Sequence, residues 1–364
     1  MAVSLTLHGA TIEIARGALD SLGPRVVAQL PGHRVAIIAD QQVAALLGER
    51  ALASFGADAR APLLLTFPAG ERHKTRQSWG TLSDQLITGG CGRDTVIIAL
   101  GGGVTGDLAG FVAATYLRGV PFIQVPTTLL AMVDSSIGGK TGVDTHAGKN
   151  LIGAFHHPTL VLVDPSLLTS LPPHELRSGL AESIKHGVIA DASYFAWIAS
   201  RLRQILLGDA PDDETQLHLV RRSIEIKVEV VQQDERESGL RKVLNFGHTI
   251  GHAIEQVTAY GVAHGEAIAI GMVAEARLAE QLQLAEHGLA DAIATVCAAA
   301  GLPVRLPAGV SPAEVVTATR TDKKTRAGQV EFALPRALGE MAGGETQYGV
   351  RVTEAEILNA IKHV

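Results

Sequence analysis

Four short segments in the first half of the chain are apolar and rich in β-branched residues. These segments are Arg34–Ala39, Thr95–Leu100, Pro121–Val125 and Leu160–Val163. Such composition is typical of parallel strands, because helices cover both faces of a parallel sheet and bury every side chain. Helical patterns separate the segments, as at Lys74–Thr88. The alternation predicts an α/β domain with a parallel sheet over residues 1–170.

The pattern changes at Pro172 and Pro173, after which apolar residues follow long helical periods. The helical segments are His174–Ile189, Glu214–Asp234, Asn245–Thr258, Gly265–Gln283 and Leu289–Ala300. They predict a mostly α-helical second domain over residues 171–364, with Val330–Leu334 as an isolated strand near its end. A chain of 364 residues also exceeds the size that one hydrophobic core usually supports, which agrees with two domains.

Composition excludes several classes of protein. The chain is 46% hydrophobic and 19% charged, which is typical of a packed globular protein. Its net charge of −6 gives no electrostatic reason to expect nucleic acid or an anionic membrane as a partner. Two cysteines are too few for a disulfide framework or a Cys-rich zinc site. No apolar stretch reaches the ~18 residues of a membrane span and the N-terminus is unlike a signal peptide, so we expect a soluble, cytoplasmic protein.

A glycine-rich turn follows the apolar segment Thr95–Leu100. Gly101, Gly103 and Gly106 match G-x-G-x-x-G between a predicted strand and helix, where glycines let the backbone approach a pyrophosphate. A tight strand-to-helix turn would use the same glycines. No acidic residue lies ~20 positions further on to bind a ribose, so the ordinary dinucleotide fingerprint is incomplete. Asp40, at the end of an earlier predicted strand, is the candidate for that acid.

Two more polar loops follow predicted strands. One contains Thr127 and Thr128, and the other contains Gly70, Glu71 and Lys74. The carboxyl ends of parallel strands meet at one edge of a sheet, where ligands of α/β proteins bind. Three such loops therefore predict one extended ligand along that edge.

Histidines and acids in the helical half form a candidate metal site. His248 and His252 are four residues apart on one predicted helix, and His264 begins the next helix. One carboxylate and two imidazoles with an open fourth position form a catalytic zinc site. Glu182 and Glu266 compete as the carboxylate. Helix-capping or surface histidines are the alternative interpretation.

Several basic residues occur at informative positions in a chain that is acidic overall. Lys140 and Lys149 lie in a glycine-rich connection, whose free backbone N–H groups suit oxygen ligands. Lys185 is three residues from Glu182, so the two side chains share a helix face. Further basic residues of the helical half are Lys227, Arg241, Lys323 and Lys324. A single lysine is usually a solvated surface charge, but this explanation is weaker for Lys140 and Lys149, which lie among glycine and apolar residues. Together the basic residues indicate a substrate with more than one negative charge.

Seven sequence motifs occur in order between Gly70 and Lys324. They are GGGVTGDLAGF, YLRGVPFIQVPTTLLAMVDSSIGGKTGV, GKNLIGAF, GLAESIKHG, DERESGLRKVLNFGHTIGHAIE, HGEAIAIGM and DKK. The ordered set resembles the 3-dehydroquinate synthase family within the sugar-phosphate cyclases. DSSIGGKTGV, GKN and LNFGHTIGHAIE are typical of the synthases themselves.

The resemblance implies a fold and an activity. It implies an α/β N-terminal domain with a Rossmann-like dinucleotide site, a mostly α-helical C-terminal domain and a homodimer. It implies NAD and one zinc ion as cofactors, with cobalt as the alternative metal. The implied reaction converts 3-deoxy-D-arabino-heptulosonate 7-phosphate, a phosphorylated sugar acid, to 3-dehydroquinate and phosphate in the shikimate pathway. The enzyme would be an NAD-dependent carbon–oxygen lyase with no net redox change.

The resemblance also assigns roles to residues. The implied zinc ligands are Glu182, His248 and His264. The implied NAD-binding residues are Asp40, Gly70, Glu71, Arg72, His73, Lys74, Gly102, Gly103, Val104, Thr105, Gly106, Asp107, Thr127, Thr128, Lys140, Lys149, Leu167, Leu168, Thr169 and Ser170. The implied catalytic and substrate-binding residues are Asp134, Lys140, Lys149, Asn150, Lys185, Lys227, Arg241, Asn245, His252 and Lys323, with Lys324 as the alternative to Lys323. Arg118 would reach into the site of the partner subunit.

Three other functions compete with this interpretation. Another NAD- and zinc-dependent sugar-phosphate cyclase would act on a different substrate, but Arg241 and Asn245 favour a carboxylate-bearing one. A metal- and NAD-linked polyol dehydrogenase would produce NADH and would not need the basic residues. A non-enzymatic NAD-binding regulator would be free to lose metal ligands, yet all three are present.

Overall fold

The computed structural model describes residues 3–56, 61–146, 148–206, 212–320, 325–326, 329–362 and 364. The chain divides into two compact units. The first unit comprises Met1–Leu171 and Gln216–Ile224, and the second comprises Pro172–Thr215 and Glu225–Val364. Among the described residues, no helix combines the length and the apolar character needed to cross a bilayer.

The first unit is built around a seven-stranded sheet. The strands of the unit, seven of them in this sheet, are β1 (Val3–Leu7), β2 (Ala10–Ile14), β3 (Arg34–Asp40), β4 (Leu63–Phe67), β5 (Thr95–Gly101), β6 (Phe122–Pro126), β7 (Lys140–Thr145), β8 (Gly148–Phe155) and β9 (Leu160–Val163). Its helices are α1 (Leu22–Gln29), α2 (Gln41–Ala53), α3 (Arg76–Thr88) and α4 (Gly103–Thr115). The sheet order is β1-β2-β9-β6-β5-β3-β4, and β7 pairs with β8 outside it.

Every pair of neighbours in the sheet is parallel except β1 and β2. Ile37, Ile97 and Ile123 are fully buried on adjacent strands, because helices cover both faces. The strand order β4-β3-β5-β6-β9 is that of a doubly wound sheet whose direction of winding reverses between β3 and β5. The α/β fold with a parallel sheet is therefore confirmed.

The glycine-rich connection predicted around Lys140 and Lys149 is instead an antiparallel hairpin. Strand β7 pairs with β8, and Gly142 lies opposite Gly153. A Cβ added at Gly153 would lie 2.2 Å from the carbonyl oxygen of Thr141 on the facing strand. These glycines permit a close approach of two strands rather than preventing strand formation.

The second unit is mostly helical, as predicted. Its helices are α5 (Pro173–Ala190), α6 (Ala192–Leu206), α7 (Asp213–Gln233, of which residues 216–224 belong to the first unit), α8 (His248–Val257), α9 (His264–Gln281), α10 (Leu289–Ala299), α11 (Pro312–Thr319) and α12 (Glu354–Ile361). Its strands are β10 (Thr325–Arg326), β11 (Gln329–Phe332), β12 (Pro335–Ala337), β13 (Glu340–Met341) and β14 (Val350–Val352). Strand β11 pairs with β10 and β14, so the prediction of an isolated strand at Val330–Leu334 is wrong.

Candidate active site

Helix α8 begins in direct contact with helix α9. Gly247, the residue before α8, has a φ of 78°, and an added Cβ would lie 2.6 Å from Cγ of Met272 on α9. A Cβ at Gly271 would lie 2.0 Å from the carbonyl oxygen of Gly247. Only glycine allows this approach, which brings His248 at the start of α8 next to His264 at the start of α9. The two imidazole rings have centroids 5.5 Å apart.

The carboxylate of Glu182 completes a cluster of three candidate metal ligands. Glu182, on α5, is fully buried, and its Oε1 lies 3.5 Å from Nε2 of His248 and 3.5 Å from Nε2 of His264. One ligand atom from each of these residues lies within 4.8 Å of the others. Lys185 forms an ion pair with Oε2 of Glu182 from the next turn of α5, as their spacing predicted.

The other ring nitrogen of each histidine has its own partner. Nδ1 of His248 donates to the carbonyl oxygen of Phe246 at 3.1 Å, because that oxygen can only accept. Nδ1 of His264 lies 3.4 Å from Oε1 of Glu255, a buried carboxylate on α8. Carbonyl and carboxylate partners of this kind orient metal-binding histidines and leave Nε2 for the metal.

Electrostatics at the cluster favours a cation. Burial alone would raise the pKa of Glu182, but Lys185 and the two imidazoles hold the pKa well below its ordinary value. Burial and the charge of Lys185 lower the pKa of His248, which keeps that imidazole neutral. Burial would also lower the pKa of His264, but Glu182 and Glu255 outweigh it and raise the pKa to about 9.

The structure distinguishes the remaining candidates for this cluster. His252 is exposed, with its ring centroid 5.2 Å from that of His248, and it forms a second grouping with Glu255 and His264. Glu266 bends back to accept a hydrogen bond from the backbone N–H of Ala263 at 3.3 Å, so it caps α9. Among the described residues, Glu182 is the acid whose carboxylate lies next to the Nε2 atoms of both His248 and His264.

In the first unit, the segments implied in NAD binding follow the carboxyl ends of five neighbouring strands. Strands β4, β3, β5, β6 and β9 end at Phe67, Asp40, Gly101, Pro126 and Val163. Residues 70–74 follow β4, 102–107 follow β5, 127–128 follow β6 and 167–170 follow β9. Asp40 is itself the last residue of β3. The adjacent ends of β3 and β5 flank the point where the winding reverses, which is where doubly wound sheets bind nucleotides.

Asp40 and Gly103 each lie at the start of a helix at this edge of the sheet. Oδ1 of Asp40 caps α2 by accepting from the backbone N–H groups of Gln42 and Val43, and Oδ2 lies 3.5 Å from the Thr105 hydroxyl. Helix α4 begins at Gly103, and no side chain caps its first N–H groups. A Cβ at Gly103 would lie 3.0 Å from Oγ of Ser135.

Lys74 lies at the centre of a charge cluster in this unit. Its side chain is 4% exposed, and its Nζ lies 2.8 Å from Glu71, 3.3 Å from Asp107 and 3.6 Å from Asp144. Burial outweighs the attraction of Lys74 and raises the pKa of Asp107 to about 6. Lys149 lies 3.9 Å from Glu71. Asp144, which sequence reasoning missed, also accepts from the backbone N–H of Asn150 at 2.8 Å.

The other predicted site residues occupy varied positions. Buried ones are Lys185, Lys227 and Arg241, and exposed ones are Arg118, Lys140 and Asn150. Asp134 lies in a π-helical turn at Ala131–Ser135, and Leu167, Leu168, Thr169 and Ser170 lie in a 3₁₀ turn at Pro165–Ser170. Asn245 donates to Glu237. Lys323 and Lys324 lie outside the described residues.

Comparison with known proteins decides the family. The family model of the 3-dehydroquinate synthase N-terminal domain matches residues 64–178, and that of the C-terminal domain matches residues 179–325. The chain belongs to the 3-dehydroquinate synthase family. The 3-dehydroquinate synthase of Desulforamulus reducens is 46% identical over 332 residues, which are 91% of each chain. The family predicted from the ordered motifs is confirmed.

Solved structures of other cyclases share the fold of this 3-dehydroquinate synthase family member. A 2-deoxy-scyllo-inosose synthase complexed with carbaglucose-6-phosphate, NAD⁺ and Co²⁺ is 27% identical, with a TM-score of 0.89 and all of both chains covered. A 2-epi-5-epi-valiolone synthase from Streptomyces hygroscopicus subsp. jinggangensis 5008, with NAD⁺ and Zn²⁺ bound, is 28% identical, with a TM-score of 0.88. That match covers 100% of this chain and 98% of the other.

Proposed function

We propose that this chain converts 3-deoxy-D-arabino-heptulosonate 7-phosphate to 3-dehydroquinate and phosphate, with NAD and a divalent metal as cofactors. The observation that carries the proposal is the cluster of Glu182, His248 and His264 in a chain of this family. The overall reaction removes phosphoric acid from the substrate and closes a carbocycle. Carbon is neither oxidised nor reduced overall, so the enzyme is a lyase that uses NAD catalytically.

The donor set fits zinc, with cobalt as the alternative. One carboxylate and two imidazole nitrogens are ligands that both metals accept, and three protein ligands leave a position open for substrate. When bound, the metal supplies polarisation of a substrate hydroxyl, and NAD supplies the acceptor to which a hydride passes and from which it returns. Glu182, His248 and His264 hold the metal in our proposal, while Phe246 and Glu255 orient the two imidazoles. Lys185 adds a positive charge that favours a substrate oxyanion.

The carboxyl edge of the first unit fits NAD. The N–H groups at the start of α4 suit a pyrophosphate. Gly102 and Gly103 let the side chains of Thr128 and Ser135 approach this helix start closely. Lys74, buried and paired with three carboxylates, lies in the loop after β4 at the same edge. We propose the NAD-binding residues named in the sequence analysis, from Asp40 to Ser170, for this role.

The substrate carries a phosphate and a carboxylate, and we propose basic residues as its contacts. Arg241 is 3% exposed, and its guanidinium donates to the carbonyl oxygen of Glu235. A buried, oriented guanidinium suits bidentate binding of a carboxylate. The other proposed contacts are Asp134, Lys140, Lys149, Asn150, Lys185, Lys227, Asn245, His252 and Lys323.

The proposal includes the assembly and location of the enzyme. We propose that the segments 1–170 and 171–364 form the NAD-binding domain and the metal- and substrate-binding domain. A homodimer, in which Arg118 reaches the partner's site, agrees with the exposure of that residue. Cys91 and Cys297 are both buried and form no disulfide, which is in keeping with a reducing cytoplasm.

Removal and return of the metal tests the proposal. Protein freed of metal by a chelator should release no phosphate from 3-deoxy-D-arabino-heptulosonate 7-phosphate in the presence of NAD⁺. Added Zn²⁺ or Co²⁺ should restore phosphate release together with formation of 3-dehydroquinate. Undiminished turnover by the metal-free protein, or no 3-dehydroquinate from the loaded one, would contradict the proposal.

A further inference from the structure

Helix α8 starts without a side-chain cap of its own. The first N–H groups of a helix need acceptors, and serine, threonine or aspartate at the N-cap usually supplies one. The N-cap of α8 is Gly247, because a Cβ there would collide with Met272 on α9. The close approach that places His248 next to His264 therefore removes the usual cap.

Glu275 supplies the missing cap from the neighbouring helix. Its Oε2 accepts from the N–H of Gly247 at 2.6 Å, and its Oε1 accepts from the N–H of Ile250 at 3.1 Å. Glu275 lies on α9 and is fully buried. A negative charge at a helix N-terminus is also stabilised by the helix dipole. One carboxylate thus joins the two helices that carry His248 and His264.

A second buried hydrogen bond joins α9 to the helix that carries Glu182. The backbone N–H of Gly265, next to His264, donates to Oγ of Ser178 on α5 at 3.0 Å. A Cβ at Gly265 would lie 2.2 Å from the carbonyl oxygen of Ser178, so the helices touch at this point. Ser178 precedes Glu182 by one helical turn on α5.

We propose that Glu275 is a positioning residue for the metal centre, with Ser178 as its counterpart, because together they tie the three ligand-bearing helices to one another. This inference rests on the proposed function, since it assumes that Glu182, His248 and His264 bind the metal. Neither residue touches the metal or the substrate in this proposal. They set the distances among the three ligands before the metal binds.

The substitution Glu275→Gln tests the proposal with little change of volume. Glutamine keeps one acceptor oxygen, but its amide NH₂ faces a backbone N–H that needs an acceptor, and the negative charge is lost. We expect the zinc dissociation constant, measured by competition with a chelator, to rise about 10- to 100-fold, the range for partners that orient metal ligands. The visible absorption spectrum of the Co²⁺-loaded variant should differ from that of the wild type.

Glu280→Gln is the matched control. Glu280 lies on the same helix and accepts from the N–H of Ala290 at 2.9 Å, where α10 also begins after a glycine, Gly288. Helix α10 carries none of the three proposed ligands. Glu280→Gln should therefore leave the zinc affinity and the Co²⁺ spectrum unchanged. An equal loss of zinc affinity in both variants would show a general loss of stability and overturn the proposal.

Other outcomes are equally decisive. A folded Glu275→Gln protein with wild-type zinc affinity and Co²⁺ spectrum would overturn the proposal. If Glu275→Gln does not fold, Ser178→Ala decides, since it removes only one acceptor. Weaker zinc binding by that variant supports the proposal, and unchanged binding contradicts it. A wild-type protein that binds no zinc would instead refute the proposed metal site, so the two failures are distinguishable.

Discussion

At the scale of single residues, the metal centre depends on which nitrogen each imidazole presents. His248 presents Nε2 to Glu182 because Phe246 accepts from its Nδ1, and His264 presents Nε2 because Glu255 lies at its Nδ1. His252 lies on the same face of α8 but is exposed. A third imidazole on the metal would close the open position that substrate needs.

Alanine substitutions should separate the two histidines of α8. His248→Ala should lose tightly bound zinc and all activity, because one of three ligands is gone. His252→Ala should keep zinc at nearly full occupancy and lose most of its turnover. Metal analysis of the two purified variants checks this prediction. Zinc lost from His252→Ala but kept by His248→Ala would reverse the assignment of the ligand.

Arg241 is the residue proposed to recognise the substrate carboxylate. Arg241→Ala should weaken substrate binding by about 2–4 kcal/mol, the cost of removing one partner of a buried charge pair. NAD⁺ binding should change little. Arg236 is an exposed arginine in the loop just before the 3₁₀ turn that carries Arg241, so Arg236→Ala is the matched control and should bind substrate normally. If Arg241→Ala still discriminates strongly against an analogue without the carboxylate, Arg241 is not the carboxylate contact.

At the scale of elements, the spacing of apolar residues predicted the features that depend on local sequence, namely the strands and the long helices. The strands and long helices agree with their predicted segments because continuous apolar runs and 3.6-residue periods result directly from burial. The shared faces of Glu182 and Lys185, and of His248 and His252, result from helical spacing alone. These features needed no knowledge of how elements pack.

Other features depend on contacts between distant segments, and the sequence could not show them. Glu255 and Glu275 are recognised only once α8 packs on α9, although the spacing of Glu255 from His252 placed both on one helix face. Residue spacing alone left Glu182 and Glu266 as alternatives, and only the family resemblance favoured Glu182. The structure shows a separate role for Glu266, which caps α9. The hairpin of β7 and β8 was missed because glycines usually weaken strands, and only the pairing shows why they are needed.

One carboxylate organises the loop that leads into the 3₁₀ turn carrying Arg241. Asp234 accepts hydrogen bonds from the backbone N–H groups of Ser238, Gly239 and Arg241 and from the Ser238 hydroxyl. Burial would raise the pKa of Asp234, but these hydrogen bonds outweigh it and lower the pKa to about 2. Because the folded-state pKa is lower than the unfolded value of about 3.9, the ionised carboxylate stabilises the fold above that value. The stabilisation is lost as the pH falls towards 2.

Asp234→Asn should therefore destabilise the protein in a pH-dependent way. We expect a loss of about 1–3 kcal/mol in the free energy of unfolding at pH 7, shrinking by about half at pH 3. Urea unfolding of wild type and variant at both pH values checks the prediction. An equal loss at both would show that the charge of Asp234 is not the source of the stability.

At the scale of the whole molecule, the proposed dimer makes each active site dependent on two subunits. Arg118 lies in an exposed turn where Leu117, Arg118 and Gly119 all have positive φ, at 48°, 69° and 118°. Such strained backbone persists where a side chain must be held in a particular direction. The direction proposed here is towards the partner subunit's site.

Subunit mixing tests this arrangement. Arg118→Ala subunits keep Glu182 and lack Arg118, whereas Glu182→Ala subunits keep Arg118 and lack Glu182. Heterodimers of the two should regain part of the activity, because one site receives both residues. Heterodimers of Arg118→Ala with a subunit that carries both substitutions are the control and should stay inactive. No rescue in verified heterodimers would place Arg118 outside the partner's site.

The central claim is that NAD acts catalytically in a reaction that releases phosphate without net oxidation. The most direct test supplies the zinc-loaded enzyme with excess 3-deoxy-D-arabino-heptulosonate 7-phosphate and a small amount of NAD⁺, and follows phosphate and NADH together. We predict that phosphate will exceed the total NAD⁺ many times over while NADH does not accumulate, since each hydride returns to the substrate-derived product. NADH that accumulates in equal amount with product would contradict the account and indicate a polyol dehydrogenase instead.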